Sequence, residues 1–477
     1  MRWFVLIALA GCAQLFGLDD TTGSDVASLA ITHVSIGNTV ITSPQSLAGQ
    51  TASFLVPDPM GVRVVAATAN GNEWSAPVAG TPPILFTLPN FAGLLAIDAR
   101  SAAFPFALLE HANSAAAAPA ATFQVQGTLP SGYVAGEGFA LYVVGAWIAH
   151  GIPPPALGTT AINTAQFALA DTDSLIGPRQ KVALADAVLF LRYDATGALT
   201  AAGEAPAFDE ADANTIIFPS GAVPGAITAV AQDVTLSAPV APTDIAKRYA
   251  ATQPAPATPV AMSWSINAAP GSDLGSVSGP TLKSGAVAAT DTMVTATFGN
   301  PFATKHGWRS TLFWNTSATR TYTPPGHPPA TLISELFAVA AAAPGVTLDL
   351  TAGLPTMISL DATALTTDGL TATIDPAATV EVSFVADNPA NTLYELEVLR
   401  LVPNTAGTAM TFEDRLNVFA TKPPFQVPGN VFKTGELYTL RVICFQGGFP
   451  ALSSGDLTMR ALPITGGVFD SGVFTAM

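Results

Sequence analysis

The sequence predicts an all-β protein of tandem β-sandwich modules, and three observations carry that expectation. Candidate strands are short, rich in Val, Thr, Phe and Ile, and follow one another from Leu29 to the end of the chain. The 40 glycines and 39 prolines end each run before a long helix can develop. A length of 477 residues is enough for several modules of roughly 100 residues each.

The strands are read in order. Val62–Thr68 runs into the turn Asn70-Gly71-Asn72. Val188–Tyr193 is a continuous apolar run ended by Asp194-Ala195-Thr196-Gly197. Val380–Phe384 alternates cleanly, and Tyr394–Val398 places Glu395 and Glu397 on one face of a strand. Tyr438–Phe445 alternates like a strand and contains Cys444. Helix signals are few. Thr243–Tyr249 fits one or two turns capped by Thr243 or Asp244. Ala330–Ala343 fits either a helix or, through Leu332, Ser334 and Leu336, a strand.

Boundaries come from composition. Asn113–Ala121 is a small-residue connector, Gln253–Pro259 alternates with proline as a stiff linker, and a third break falls near Ala352–Thr356. The expected division is a signal at 1–11, a lipidated cysteine and polar tether at 12–28, and sandwiches at 29–121, 122–252, 260–355 and 356–477.

The amino terminus carries the clearest motif. Arg2 precedes the eight-residue apolar run Trp3–Ala10, too short for a transmembrane helix and long enough for a signal peptide. Leu9-Ala10-Gly11-Cys12 resembles the lipobox of bacterial lipoproteins. That resemblance implies that Cys12 becomes the acylated first residue of the mature chain and its anchor in the membrane. Two or more acyl chains hold firmly where one does not. Ala13 stands where an Asp retains enteric lipoproteins in the inner membrane, so the expected address is the outer membrane of a Gram-negative bacterium. The segment Cys12–Thr22, together with the Ala-rich, Lys-poor composition, resembles the lipoproteins of myxobacteria, a resemblance that implies no activity.

In the body, Glu73-Trp74 with Ile84–Pro89 resembles carboxypeptidase-regulatory-like sandwiches. Gly435–Val442 resembles fibronectin type III and other immunoglobulin-like modules. These resemblances imply sandwiches and no activity.

Charge excludes one class of partner. The net charge is −16 with 18 Lys and Arg and no basic cluster, whereas nucleic-acid binding needs several cations on one face. Only 11% of residues are charged, against about 25% in an average soluble domain, and 49% are hydrophobic. With Cys12 acylated, Cys444 lacks an intramolecular partner, so neither a disulfide framework nor a cysteine zinc site is expected.

Catalytic motifs fail one by one. Gly275–Gly279 has Val277 where a nucleophile elbow needs serine. The five histidines are spread along the chain without metal-ligand spacing, and Glu110-His111 lacks a nameable partner. Asp171-Thr172-Asp173 and Asp209–Asn214 gather carboxylates without the spacing of a calcium loop. Leu462–Gly466 matches the sortase pattern LPxTG, but the eleven residues after it hold neither a membrane span nor a Lys or Arg; a turn between late strands is expected. No cofactor is implied.

One segment gathers unusual residues: Lys305, His306, Trp308, Arg309, Trp314, Asn315, Arg320, Tyr322 and His327. A hairpin turning at Asn315–Ala318 would bury Trp308 and Trp314 and turn Arg309, Asn315 and Arg320 outward as a small basic patch. With the opposite face outward, the two rings would form a platform for sugars. The expectation is an anchored envelope protein that binds or supports, its partner a glycan or envelope protein. The runner-up is an envelope hydrolase acting on glycan or peptide; a solute-binding lipoprotein is disfavoured by the lack of α/β alternation.

Overall fold

A computed structural model describes residues 26–477 except 37–38, 59–60, 89–90, 109–121, 144, 147, 165, 169–180, 185, 206–209, 211–214, 219–224, 227–233, 238–241, 258–260, 272–278, 287–292, 344–349 and 389–390. The lipobox, the tether up to Asp25, the connector at 113–121, Glu110-His111, Asp171–Asp173 and most of Asp209–Asn214 lie outside the described residues.

The fold is nearly all β, organised as packed sheets, as the sequence predicts. The helix expected at Thr243–Tyr249 spans Pro242–Ala250. Proline suits a first helical position, where its missing N–H costs nothing. Ile245 and Tyr249, one turn apart, are both buried. The ambiguous segment is a strand, Ala330–Ala341. Its even-numbered side chains from Ala330 to Ala338 are buried and odd ones are more open, a period of two that no helix satisfies.

One sheet dominates. Twelve strands follow a single hydrogen-bonded path, and two more, Leu370–Ala372 and Phe474–Ala476, attach beside it. The path runs Thr281–Ala286, Ala261–Ala269, Arg309–Tyr322, Ala330–Ala341, Ile464–Asp470, Leu437–Gly447, Leu393–Pro403, Met410–Ala420, Phe91–Ala96, Ile84–Leu88, Thr51–Asp58, Gly61–Ala66. Backbone pairing therefore passes through the compositional pieces at 260–355, 356–477 and 29–121 without stopping. The step into the first piece is parallel, Asn417–Ala420 against Gly93–Ala96.

Both faces of this sheet are covered. On one, Trp314, Leu336, Val442, Leu396 and Val418 share a core with Ile358, Val380, Val382, Phe425 and Val427 of a four-stranded sheet. On the other, Val339, Ile464, Leu393 and Phe419 join Leu29, Ile31, Trp74 and Phe104 of the first piece. The first piece is itself a sandwich: Val26–Ile36, Glu73–Pro77 and Ser101–Leu108 close over Phe54, Phe86 and Leu95. One of its two sheets is the far end of the dominant sheet.

The second piece has its own sheets and its own core around Phe123, Val125, Leu141 and Phe190. The run read at Val188–Tyr193 is the strand Leu189–Tyr193. Its turn is fixed by the Asp194 carboxylate, which accepts from the Thr196 and Ala198 N–H groups at 2.8 and 2.9 Å.

Candidate functional site

The segment singled out by sequence folds as one uninterrupted strand, Arg309–Tyr322, with Trp308 just before it. The hairpin expected at Asn315–Ala318 is not formed, because those residues pair on both sides: Asn315 with Ser263 and with Phe337. The chain turns later, where Pro324, Pro325 and Gly326 supply what a turn needs; Gly326 has φ +77°. Trp308 and Trp314 are each 1% exposed, so the two rings are core and not a platform. The Trp308 ring lies 5.3 Å from Phe302 and 5.0 Å from His306.

The outward basic patch is also corrected. Arg320 lies six residues beyond Trp314 and therefore shares its buried face. It is 7% exposed, donates through Nη1 to both Asp368 carboxylate oxygens at 3.1 and 3.2 Å, and donates through Nη2 to the Asp470 and Ser471 carbonyls. Asn315 is on the opposite face and accepts from the Ser263 hydroxyl at 2.5 Å. Of the three polar residues, Arg309 alone is exposed.

A different group of polar residues converges on the dominant sheet. Asn417, Glu397, Arg441 and Asp470 stand in one row across four adjacent strands, each opposite the next. Glu395 follows Glu397 on the same face, and Asp414, opposite Leu399 beyond a bulge, joins them. The Arg441 guanidinium holds Asp470 at 2.7 and 3.2 Å and Glu397 at 3.3 Å, and lies 5.5 Å over the Phe412 ring. Asp470 also accepts from the Ile333 N–H at 2.8 Å. Arg460 stacks 4.2 Å over Phe449 and faces Glu395 electrostatically.

Carboxylates outnumber cations in this row, and their acidities record it. Burial raises Glu395 above the ordinary carboxylate value, and Glu397 adds to the shift. Burial raises Glu397 too; Arg441 opposes the shift while Asp414 and Asp470 reinforce it. Asp414 is raised by burial, and Arg460 is lowered to about 10 by the same cause. The Asn417 side-chain oxygen is buried without a hydrogen-bond partner. The sequence discloses Glu395 and Glu397 on one face, but not Asp414, Asn417 or Asp470. The one available signal is Arg441, a lone charge on an otherwise uncharged alternating strand.

A cleft of about 560 Å³ opens nearby, where the loop after Gly447 meets the first piece. Asp98, Thr392, Thr421, Phe449, Leu462 and Pro463 line it. Two residues of the sortase-like pattern thus face the cleft. The other three, Ile464, Thr465 and Gly466, begin a buried central strand instead of the expected turn. An enzyme that needs an extended, exposed substrate cannot reach them there. Cys444 is fully buried, and burial pushes its thiol pKa well above the ordinary value, so it stays a neutral thiol and packs as a small apolar residue. Among the described residues, no three His, Cys, Asp or Glu side chains are grouped to hold a metal.

No family model matches this chain, and no curated protein matches it. Among solved structures, a tetra-tandem repeat from the extending region of a large adhesion protein is similar at 11% identity. The match covers 92% of this chain and 99% of that one, with a TM-score of 0.12, too low to establish a shared arrangement.

Proposed function

We propose that this chain is an acylated lipoprotein of the bacterial outer membrane, held by lipid on Cys12, whose body is a stiff binding or structural scaffold facing a glycan or another envelope protein. The anchor half of this reading rests on Leu9-Ala10-Gly11-Cys12 behind a short apolar run. The body half is carried by one observation: a hydrogen-bonded sheet that continues through three of the four pieces. A scaffold that transmits load or holds a surface at a fixed place benefits from joints made of backbone hydrogen bonds rather than flexible linkers.

The anchor is tested by Cys12→Ser. The variant is expected in the soluble fraction, while the parent chain stays with membranes. A variant that still partitions with membranes after signal removal would contradict the reading.

The hydrolase reading has one specific observation in its favour, the half-buried carboxyl groups Glu395 and Glu397, whose pKa values burial raises above the ordinary carboxylate value beside Asp414. Arg441 already occupies Glu397 and Asp470, which favours a structural role for the row. Turnover of peptidoglycan or envelope polysaccharide by the parent chain, abolished in Glu395→Gln, would reverse that preference.

A further inference from the structure

Arg441 fills only part of the carboxylate row. It bridges Glu397 and Asp470. Among the described residues, Glu395 and Asp414 make no hydrogen bond or ion pair. Both share a face with Asn417, which is 8% exposed and whose buried side-chain oxygen has no hydrogen-bond partner. On one side Asn417 pairs with Gly93, and the Phe86 and Phe91 rings close over the space a Cβ of Gly93 would take. On the other side it stands directly opposite Glu397. The polar row is thus the side from which a donor reaches this oxygen. A buried acceptor without a donor is unfavourable, and so is a half-buried carboxylate without a cation. One donor-rich cation relieves both.

We propose that Glu395, Asp414 and Asn417, with Glu397 shared, form a binding site for a guanidinium group supplied from outside the chain. Ionised carboxylates and the amide oxygen are acceptors, so the complement is a cation that only donates. Spacing separates a guanidinium from a metal ion. Adjacent strands lie about 4.8 Å apart and same-face neighbours on one strand about 6.8 Å, whereas calcium gathers roughly six to eight oxygens at about 2.4 Å. No three carboxyl groups of the described residues are grouped in that way. A guanidinium spreads its donors over a plane and spans acceptors on neighbouring strands. The chain displays this fit itself: Arg441 holds Asp470 at 2.7 Å and Glu397 at 3.3 Å while lying over the Phe412 ring. Arg460 is the internal competitor. It faces Glu395 electrostatically without an ion pair, stacked on Phe449 at the cleft. The charged groups facing Glu395 and Glu397 are Glu335, Asp414, Arg441, Asp470 and Arg460. Burial holds protons on the two glutamates, and an arriving cation favours their ionised forms, so binding releases protons and tightens as pH rises.

This site goes beyond the anchored-scaffold reading and does not depend on it. The test is calorimetric titration of the full chain in detergent with ethylguanidine, n-butylamine and calcium chloride. Ethylguanidine is expected to bind saturably at one site, with the other two at least about tenfold weaker. Glu395→Gln keeps the size of the side chain and is expected to weaken ethylguanidine by about tenfold. Arg460→Ala removes the competing cation and is expected to strengthen it. Loss of folding does not produce these opposite changes together. A capped Gly-Arg-Gly peptide that binds more tightly than ethylguanidine identifies an arginine of a partner protein as the source of the group; equal or weaker binding identifies a free guanidine. Three results would each overturn the proposal: no saturable binding of ethylguanidine at high millimolar concentration, an affinity in Glu395→Gln equal to that of the parent chain, or calcium binding more tightly than ethylguanidine.

Discussion

The first and second pieces of this chain are similar in kind, β layers around an aromatic core, yet they join the rest of the molecule in opposite ways. The first, Val26 to Leu108, extends the dominant sheet through a parallel ladder at Gly93–Ala96 and closes its core over Phe419, Val339 and Ile464. The second has no ladder to that sheet among the described residues. It attaches by a separate two-stranded pair, Val234–Ser237 against Met293–Ala296, and by side chains: Leu189, Leu191 and Leu199 enter the shared core, Lys283 reaches Thr196, and Glu204 meets Lys305 at 2.8 Å and His306 at 3.0 Å. The comparison teaches that compositional joints and cooperative units need not coincide. A ladder within the dominant sheet couples the first piece to it directly; the second, whose strands lie in separate sheets, is freer to open locally.

The largest expected effects come from aromatic truncation on either side of this contrast. Phe419 lies 5.0 Å from Phe104 across the joint of the first piece, and Phe419→Ala should destabilise the chain by about 3–5 kcal/mol. Its loss of amide protection should extend over both the first piece and the strand Leu393–Pro403. Phe190 stacks on Phe139 at 5.8 Å in the core of the second piece, and Phe190→Ala should cost a similar amount. Its loss of protection should stay within the second piece. Denaturant unfolding followed by hydrogen exchange separates the two outcomes.

A pH effect comes next. Glu395 and Glu397 are raised above the ordinary value of 4.5, so the folded chain holds their protons over a range where the unfolded chain has released them. Stability is therefore greatest below the unfolded value and declines as pH rises through the folded ones. The decline should concentrate in the dominant sheet, and Glu395→Gln should flatten it. A stability curve that rises with pH over this range would contradict the assignment.

The smallest effect is at the second piece's contact. Glu204→Gln removes the ion pair to Lys305, which is 63% exposed, and weakens the hydrogen bond to His306, and should cost about 0–1 kcal/mol. A larger loss would mean that the second piece is coupled more tightly than its contacts imply.

What could be read from sequence was local. Val380–Phe384 alternates and is a strand; Asp194 and Gly197 mark a turn and form one; Thr243–Tyr249 reads as a short helix and is one, though it begins at Pro242 and so takes the expected caps Thr243 and Asp244 into its first turn. The failures came where a long-range partner decides. Asn315–Ala318 has the polar residues of a turn, but pairing on both flanks extends the strand straight through it. Arg320 is misplaced outward only if that turn exists; in an unbroken strand its parity with Trp314 sends it into the core, where Asp368 and two carbonyls receive it. The row at Glu397 was half legible, because one strand's alternation shows which residues share a face but not which strands meet that face. The parallel step from Asn417 to Gly93 joins residues more than 300 positions apart, and no local pattern announces it.

The account's central claim is that the first piece and the dominant sheet are one hydrogen-bonded unit. Native-state hydrogen exchange of the full chain tests it most directly, by comparing the amides of Phe91–Ala96 with those of Leu393–Pro403. The account predicts that both sets open together, with the same free energy and the same denaturant dependence. Exchange of Phe91–Ala96 through a separate, cheaper opening, with Leu393–Pro403 still protected, would contradict it.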